Sequence, residues 1–165
     1  MTARKHSAFT LIELLVVIGI LAILLTIVLI AINPARQFAQ SNNTRRRSDI
    51  NAMLNAIHQY SVDNRGTITA LNIPVDDPLV AGSEAEEIMT YVAPAVGPDL
   101  CAILTPTYIS ALPVDPQDGA GAAISDCAVA YTTNYFVVQS NVATNIRITV
   151  SAPGAELGEV IDVTR

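Results

Sequence analysis

The chain has 165 residues, of which 51% are apolar and only 15% are charged, and its formal net charge is −6. About a quarter of the residues in an average globular domain are charged, so charge is scarce here. Residues 14–32 contain no charged side chain and are numerous enough to cross a bilayer. The composition argues against a purely soluble cytosolic protein. It excludes a multi-span transporter, because no second run of this kind exists, and the acidic balance disfavours a basic nucleic-acid module.

The charges are distributed unevenly along the chain. Residues 1–8 contain Arg4 and Lys5 and no acid, and Lys5 is the only lysine. Residues 33–65 contain five arginines against two acids, whereas residues 66–165 contain two arginines against twelve acids. The order is therefore a short basic segment, an apolar segment, a basic stalk and an acidic head. Such a head is unsuited to non-specific binding of nucleic acid.

The apolar segment is unlike a secretory signal, because it is longer than the 7–15 apolar residues of such signals and lacks a clear cleavage site after it. A signal anchor would fit its length. However, Glu13 stands at its start, and a carboxylate at membrane depth is costly unless it is paired. Glu13 is therefore a candidate functional residue.

The residues around Glu13, RKHSAFTLIEL at 4–14, resemble the leader and cleavage region of type IV prepilins and type II secretion pseudopilins. The resemblance implies a leader at 1–8, cleavage between Ala8 and Phe9 by a membrane-embedded peptidase, and methylation of the new Phe9 amine. It also implies that Glu13 pairs with the N-terminal amine of a neighbouring subunit during assembly. The family usually has Gly before the cut, where this chain has Ala8. The alternative is an ordinary signal anchor with a stray glutamate.

Residues 33–65 are predicted to form a second helix, which Asn33 and Pro34 cap and restart. An apolar stripe at helical spacing, formed by Ile50, Met53, Leu54, Ile57 and Tyr60, is expected to face the head. Residues 40–49 carry no large apolar side chain, so we expect that part to be exposed in the monomer.

Three consecutive arginines, Arg45, Arg46 and Arg47, lie in the predicted exposed part of the stalk. We interpret them as a solvated helix face or as contacts with acidic neighbours. DNA binding along a filament is the alternative, but few aromatic residues accompany the arginines. His58 has no Cys, Asp or Glu at metal-ligand spacing and is interpreted as structural.

The head is predicted to begin with a loop at 67–82, followed by a short helix from an N-cap at Ser83 to about Val92. Three segments rich in β-branched and aromatic residues then predict an antiparallel meander: 130–139, 145–151 and 159–164. The predicted fold class is α+β, with a long N-terminal helix packed on a small C-terminal antiparallel sheet, as the resemblance also implies. The predicted divisions are the leader 1–8, the apolar helix 9–32, the stalk helix 33–65 and the head 66–165.

Two cysteines and three aspartates are further candidate site residues in the head. With the head outside the cell, as the resemblance implies, Cys101 and Cys127 are expected to form a disulfide; the alternative is two buried free thiols. The segment LPVDP at 112–116 is similar to one that precedes the sheet in major pseudopilins, where nearby acids bind calcium. Asp115, Asp118 and Asp126 are the corresponding calcium candidates; a solvated acidic loop is the alternative.

The predicted function is structural: a pilin stored in the cytoplasmic membrane and polymerised through its N-terminal helix into an extracellular filament. Identical subunits, a prepilin peptidase, a platform protein and an assembly ATPase are the partners that the resemblance implies. The alternatives are a type II secretion pseudopilin, a minor or DNA-uptake pilin, and a membrane-anchored extracellular enzyme. No GxSxG, HExxH or GxxxxGK[ST] motif occurs, and His58 is the only histidine outside the leader, so no enzymatic activity is predicted.

Overall fold

The computed structural model describes residues 9–76, 85–89, 98–117, 122–140 and 146–165. The chain divides into two compact units, Met1–Phe38 and Ala39–Arg165. The predicted leader, the predicted N-cap Ser83 and the calcium candidate Asp118 lie outside the described residues.

The first unit is built on helix α1, Leu11–Ile32. Its sequence is apolar on every side, and an 18-residue window reaches a mean hydropathy of 3.4, so α1 is long and apolar enough to cross a membrane. α1 ends at Asn33, whose backbone is left-handed with φ 45°. Helix α2 begins at Pro34, a residue suited to the first helical position because its missing N–H would have no helical partner there.

Helix α2 runs from Pro34 to Asp63 and continues into the second unit. The apolar stripe predicted from its spacing is confirmed, because Ile50, Met53, Leu54 and Ile57 are all fully buried. The helix is followed by a turn in which Gly66 has φ 84°, a conformation that glycine adopts without strain.

The second unit contains a five-stranded sheet and two short helical segments. The strands are β1 (Val75–Asp76), β2 (Glu86–Met89), β3 (Thr132–Ser140), β4 (Ile148–Ser151) and β5 (Asp162–Thr164). A 3₁₀ turn at Thr69–Leu71 precedes β1, and helix α3 spans Cys101–Leu104. The predicted meander is confirmed, since β3–β4 and β4–β5 are both antiparallel. The whole sheet is mixed rather than antiparallel, because β1 pairs with β3 in parallel.

The predicted short helix at 83–92 is wrong where the structure describes it. Glu86–Met89 is strand β2, which pairs antiparallel with β3. The consecutive acids signal a helix start locally, but strand pairing outweighs that propensity and buries Ile88. Glu87 pairs with Phe136 in the strand register, and its carboxylate also accepts a 2.9 Å hydrogen bond from the backbone N–H of Asn134.

The core lies between the α2 stripe and the sheet. Val137, Ile148 and Val150 on the strands are buried in one apolar cluster with the stripe of α2, and Leu100, Leu104 and Leu112 extend that cluster towards α3. The alternation along β3 and β4 directs one face of each strand to this cluster. The layout is therefore α+β: a long apolar N-terminal helix, a second helix and a small mixed sheet.

Candidate functional site

The first candidate site is the N-terminal end of α1, where Thr10 and Glu13 form a capping box. The Glu13 backbone N–H donates to Thr10 Oγ1 at 3.3 Å, while the Thr10 backbone N–H donates to Glu13 Oε2 at 2.9 Å. The Thr10 hydroxyl donates to the same carboxylate oxygen at 2.7 Å. Glu13 thus has two donors from its own chain, so its charge is partly compensated before any neighbouring molecule is present.

The surface of α1 is unpartnered within the single chain. None of its residues is buried, and Phe9, just before the helix, is 82% exposed. Soluble monomers rarely expose continuous apolar surface of this extent, and large patches of this kind mark membrane or protein interfaces. The exposed apolar surface of α1 is consistent with membrane anchoring.

The structure describes only part of the predicted processing site. Phe9 and Glu13 are on the same short segment, with Glu13 in the first turn of α1. Ala8 lies outside the described residues. Cleavage between Ala8 and Phe9, methylation of Phe9 and pairing of Glu13 with a neighbour's amine stay predictions.

A second polar site, whose partners the sequence did not reveal, lies in the second unit around Arg46 of α2. Its guanidinium holds Asp115 through two parallel hydrogen bonds, Nε to Oδ2 at 2.6 Å and Nη2 to Oδ1 at 2.8 Å. Nη1 reaches Glu156 at 3.1 Å and Asn43 at 3.0 Å. The side chains of Arg46 and Asp115 are 0% and 1% exposed, so this is a fully buried, bidentate ion pair.

The Arg46 cluster fixes two loops to α2. Asn43 binds the backbone of Glu156 on both sides, accepting from its N–H at 2.9 Å and donating to its carbonyl at 2.9 Å. Asn42 donates to the Glu156 carboxylate at 2.9 Å. Gln117 follows Asp115 in the other loop, and its N–H donates to Asp115 Oδ1 at 3.0 Å. The loops before β3 and between β4 and β5 are therefore held by one helical turn of α2.

The titratable groups in and beside this cluster have shifted pKa values. Burial has the largest single effect on the pKa of Asp115 and raises it, but the hydrogen bonds from Arg46 and from the Gln117 N–H, together with the nearby positive charges of Arg46 and Arg45, outweigh burial and hold that pKa below its usual value. Burial raises the pKa of Asp49, although this carboxylate accepts a 2.9 Å hydrogen bond from the Tyr135 hydroxyl. Burial and Asp49 together raise the pKa of Tyr135 well above its ordinary value. The network is therefore built for ionised Asp115 and neutral Tyr135.

These contacts correct one prediction and confirm another. Residues 40–49 are not uniformly exposed, because Asn43 and Arg46 are buried by polar packing rather than by apolar packing. The interpretation of the arginines as contacts with acidic neighbours is confirmed. Arg45 lies 3.8 Å from Asp49, and Arg47 pairs with Glu159 on the surface.

The calcium candidates do not fit a metal site in the described residues. Both carboxylate oxygens of Asp115 bind Arg46, so a cation would have to displace a buried guanidinium. Asp126 is exposed and accepts from the Ala128 N–H at 3.0 Å. Within the described parts of the chain, no group of three or more His, Cys, Asp or Glu side chains is arranged to hold a metal.

The two cysteines form a disulfide, Cys101–Cys127, with their Cα atoms 5.5 Å apart. Next to it the Tyr131 hydroxyl donates to Asp99 at 2.7 Å and accepts from the Cys101 N–H at 3.2 Å. His58 is half-buried on α2, and its Nε2 is buried without a hydrogen-bond partner among the described residues.

Comparison with known protein families identifies the N-terminal segment. Residues 3–29 match the family model described as the prokaryotic N-terminal methylation motif. No curated protein and no solved structure matches the chain. The matched segment includes Phe9, the capping box of Thr10 and Glu13, and most of α1. The chain therefore carries at its N-terminus the prepilin-like motif of type IV pilins and pseudopilins.

Proposed function

We propose that the protein is a pilin-like structural subunit, which waits in the cytoplasmic membrane and polymerises through α1 into an extracellular filament. The observation that carries this proposal is the combination of the methylation motif at 3–29 with an apolar helix of 22 residues, none of them buried. Lipid tails and neighbouring α1 helices are both apolar, so one helix surface suits both states.

Glu13 supplies the electrostatic reason for ordered assembly. In the single subunit, its carboxylate is partly satisfied by Thr10. Between packed helices, a positively charged N-terminal amine of a neighbouring subunit would form a stronger, charge-assisted bond to it. A buried carboxylate that lacked this partner would be penalised. Subunits would therefore dock in the register that brings the amine to Glu13.

Processing precedes assembly in this proposal. A prepilin peptidase cuts between Ala8 and Phe9, and the new Phe9 amine is methylated. The cut removes Arg4 and Lys5, so the mature chain contains no lysine and its α-amine is the only primary amine before methylation. A platform protein and an assembly ATPase would then extract the subunit from the membrane. Mass spectrometry of the mature chain tests this step: it should begin at methylated Phe9, and an N-terminus inside α1 would contradict the proposal.

Glu13→Ala tests the assembly role directly. The variant should still accumulate in the membrane, because α1 becomes more apolar, but it should yield few or no filaments in sheared surface material. Asp162→Ala is the matched control, since it removes an exposed carboxylate of β5 in the head and should leave assembly unchanged. Normal filaments from Glu13→Ala would refute the assigned role.

The same α1 argument applies to a secretion pseudopilin and to a minor or DNA-uptake pilin. Electron microscopy of sheared surface material separates these alternatives. Abundant long filaments made of this chain indicate a major pilin, whereas its presence as a trace component indicates a minor pilin. Short filaments confined to the cell envelope indicate a pseudopilin.

A further inference from the structure

The length of α1 matches a bilayer and defines where the chain leaves it. Its 22 residues extend about 33 Å at 1.5 Å per residue, and the hydrocarbon core of a bilayer is about 30 Å thick. With α1 spanning the membrane, the residues that follow Ile32 lie at the boundary between lipid tails and headgroups.

The helix is broken between α1 and α2 at this boundary. Asn33 has a left-handed backbone, with φ 45° and ψ 80°, and terminates α1. Its side-chain Oδ1 also accepts a 3.3 Å hydrogen bond from the Arg36 N–H, so the same residue caps the start of α2. Pro34 lacks an N–H and so cannot continue the hydrogen bonding of α1. The apolar helix therefore stops at a fixed residue.

The first turn of α2 presents groups suited to a membrane surface. Arg36 is exposed, and Phe38 is 71% exposed although it is a large apolar side chain. A guanidinium binds phosphate oxygens strongly, and Lys or Arg on one face with Trp, Phe or Leu on the other is typical of helices that lie at the membrane surface. Both residues lie within the first compact unit, which ends at Phe38.

We infer that Asn33–Phe38 is a phospholipid-headgroup site, an interfacial collar that fixes how deeply α1 sits in the membrane. Arg36 binds headgroup phosphate, Phe38 inserts its ring among the upper parts of the acyl chains, and the Asn33–Pro34 joint turns the chain from lipid to water. The inference rests on the proposed membrane storage of the subunit and adds the site that positions it.

The collar has a consequence for Glu13. Glu13 precedes Asn33 by 20 residues, which is about 30 Å along a helix. A collar held at one headgroup layer therefore places Glu13 at the opposite edge of the hydrocarbon rather than at its centre. There the carboxylate is close to water and needs little beyond the hydrogen bonds from Thr10. The depth of the collar thus sets the solvation of Glu13 in the stored subunit.

The chain contains no tryptophan, so a single introduced indole reports the depth of one position. The Phe38→Trp variant of the whole chain would be reconstituted into vesicles of phosphatidylethanolamine and phosphatidylglycerol. The vesicles contain lipids with a nitroxide label, which quenches indole fluorescence and lies either near the headgroup (shallow) or at the end of the acyl chain (deep). Leu21→Trp, in the middle of α1, and Val160→Trp, at a position 86% exposed in the head, are the matched controls.

The expected result is that the indole at position 38 is quenched several-fold more by the shallow label than by the deep label. The indole at 21 should show the reverse preference, and the indole at 160 should respond to neither. Adding Arg36→Leu to Phe38→Trp should move the indole at 38 towards the deep label, whereas Arg36→Lys should not.

The outcomes separate this inference from the proposed function. Deep quenching at 21 with no quenching at 38 would overturn the collar and leave membrane storage intact. No quenching at 21 would show that α1 does not span the bilayer, which would overturn both. An indole at 38 whose depth is unchanged by Arg36→Leu would refute the role of Arg36 in setting that depth.

Discussion

Replacing Arg46 by Met should be among the most destabilising single changes in the second unit. The substitution keeps most of the side-chain length but removes the guanidinium that holds Asp115 and Glu156. Asp115 is then a carboxylate 1% exposed, left with the Gln117 N–H as a donor. Removing one partner of a buried ion pair costs about 3–5 kcal/mol because the other charge stays buried. We expect a loss of unfolding free energy in this range.

The partner substitution should cost less than Arg46→Met. In Asp115→Leu, Arg46 keeps its 3.1 Å bond to Glu156, whose side chain is 24% exposed, so the remaining buried cation is still paired. The double variant Arg46→Met/Asp115→Leu removes both charges, and apolar replacement of a buried pair is often close to neutral. Its unfolding free energy should therefore be higher than that of Arg46→Met alone, which is a strongly non-additive result.

Urea unfolding of the full chain in detergent micelles measures these differences. Near-ultraviolet circular dichroism is a suitable probe, because the ring of Tyr135 is fully buried beside the cluster. Arg47→Gln is the matched control: its pair with Glu159 is 52% and 38% exposed, and such surface pairs contribute at most about 1 kcal/mol. An Arg46→Met variant no less stable than Arg47→Gln would refute the assignment of a buried pair.

The pH dependence provides a second test of the same pair. Arg46 lowers the pKa of Asp115 in the folded state, although burial opposes this. A carboxyl whose folded pKa is lowered stabilises the fold fully above its unfolded pKa, which is about 3.9 for Asp, and loses that contribution as the pH falls through the folded value. Wild-type protein should therefore lose stability in this acid window. Asp115→Leu should lack that component, and equal acid slopes in the two proteins would contradict it.

Three further changes probe the surroundings of the pair by the same unfolding assay. Asp49→Asn should stabilise the protein at neutral pH, because burial raises the pKa of Asp49 and makes its ionisation in the folded state unfavourable. The gain in unfolding free energy should vanish below the pKa of Asp49 in the unfolded chain. A variant less stable than wild type at neutral pH would contradict this prediction. Gly154→Ala should cost about 1 kcal/mol, since the new Cβ would lie 3.1 Å from Asp115 Oδ2; unchanged stability would show that the loop gives way freely. Replacing both Cys101 and Cys127, which are 26 residues apart, by Ser should cost about 2–4 kcal/mol, and a reducing agent should lower the stability of wild type but not of this variant.

The elements that the sequence predicted correctly are those with a strong local periodicity. The uninterrupted apolar run specifies α1, and the spacing of Ile50, Met53, Leu54 and Ile57 specifies the buried face of α2. The segments rich in β-branched and aromatic residues predicted β3, β4 and β5, with each start two or three residues too early and the end of β3 one residue too early. Strand β2 could not be predicted in this way, because its pairing with β3 is a long-range contact and its acids imitate a helix start.

The Arg46 cluster was missed because its partners are distant in sequence. Asp115 is 69 residues from Arg46 and Glu156 is 110 residues away, so no local pattern reports the pairing. One signal was nevertheless present. Ala39, Asn43 and Arg46 continue upstream, at helical spacing, the same face that buries Ile50. Exposure of residues 40–49 was predicted from their polarity alone, whereas the position of Asn43 and Arg46 on this helix face indicates burial.

The part of the candidate site that was predicted from a motif is a short N-terminal segment. Glu13 was singled out by its position at the start of an apolar run, and its capping box with Thr10 follows from the three-residue spacing. Its partner in another subunit would lie beyond a single chain, so the assembly role stays a prediction. In the head, the LPVDP segment suggested calcium binding by Asp115. This carboxylate is instead the buried partner of Arg46.

Polar packing near the start of α2 also solves a problem posed by α1. In the proposed membrane-stored subunit, apolar side chains on this part of α2 would add to the apolar surface that follows α1. Asn43 and Arg46 are buried through hydrogen bonds instead, and their polarity makes insertion of this turn into lipid costly. The same residues therefore anchor two loops of the head to α2 without adding apolar surface to the helix that follows α1.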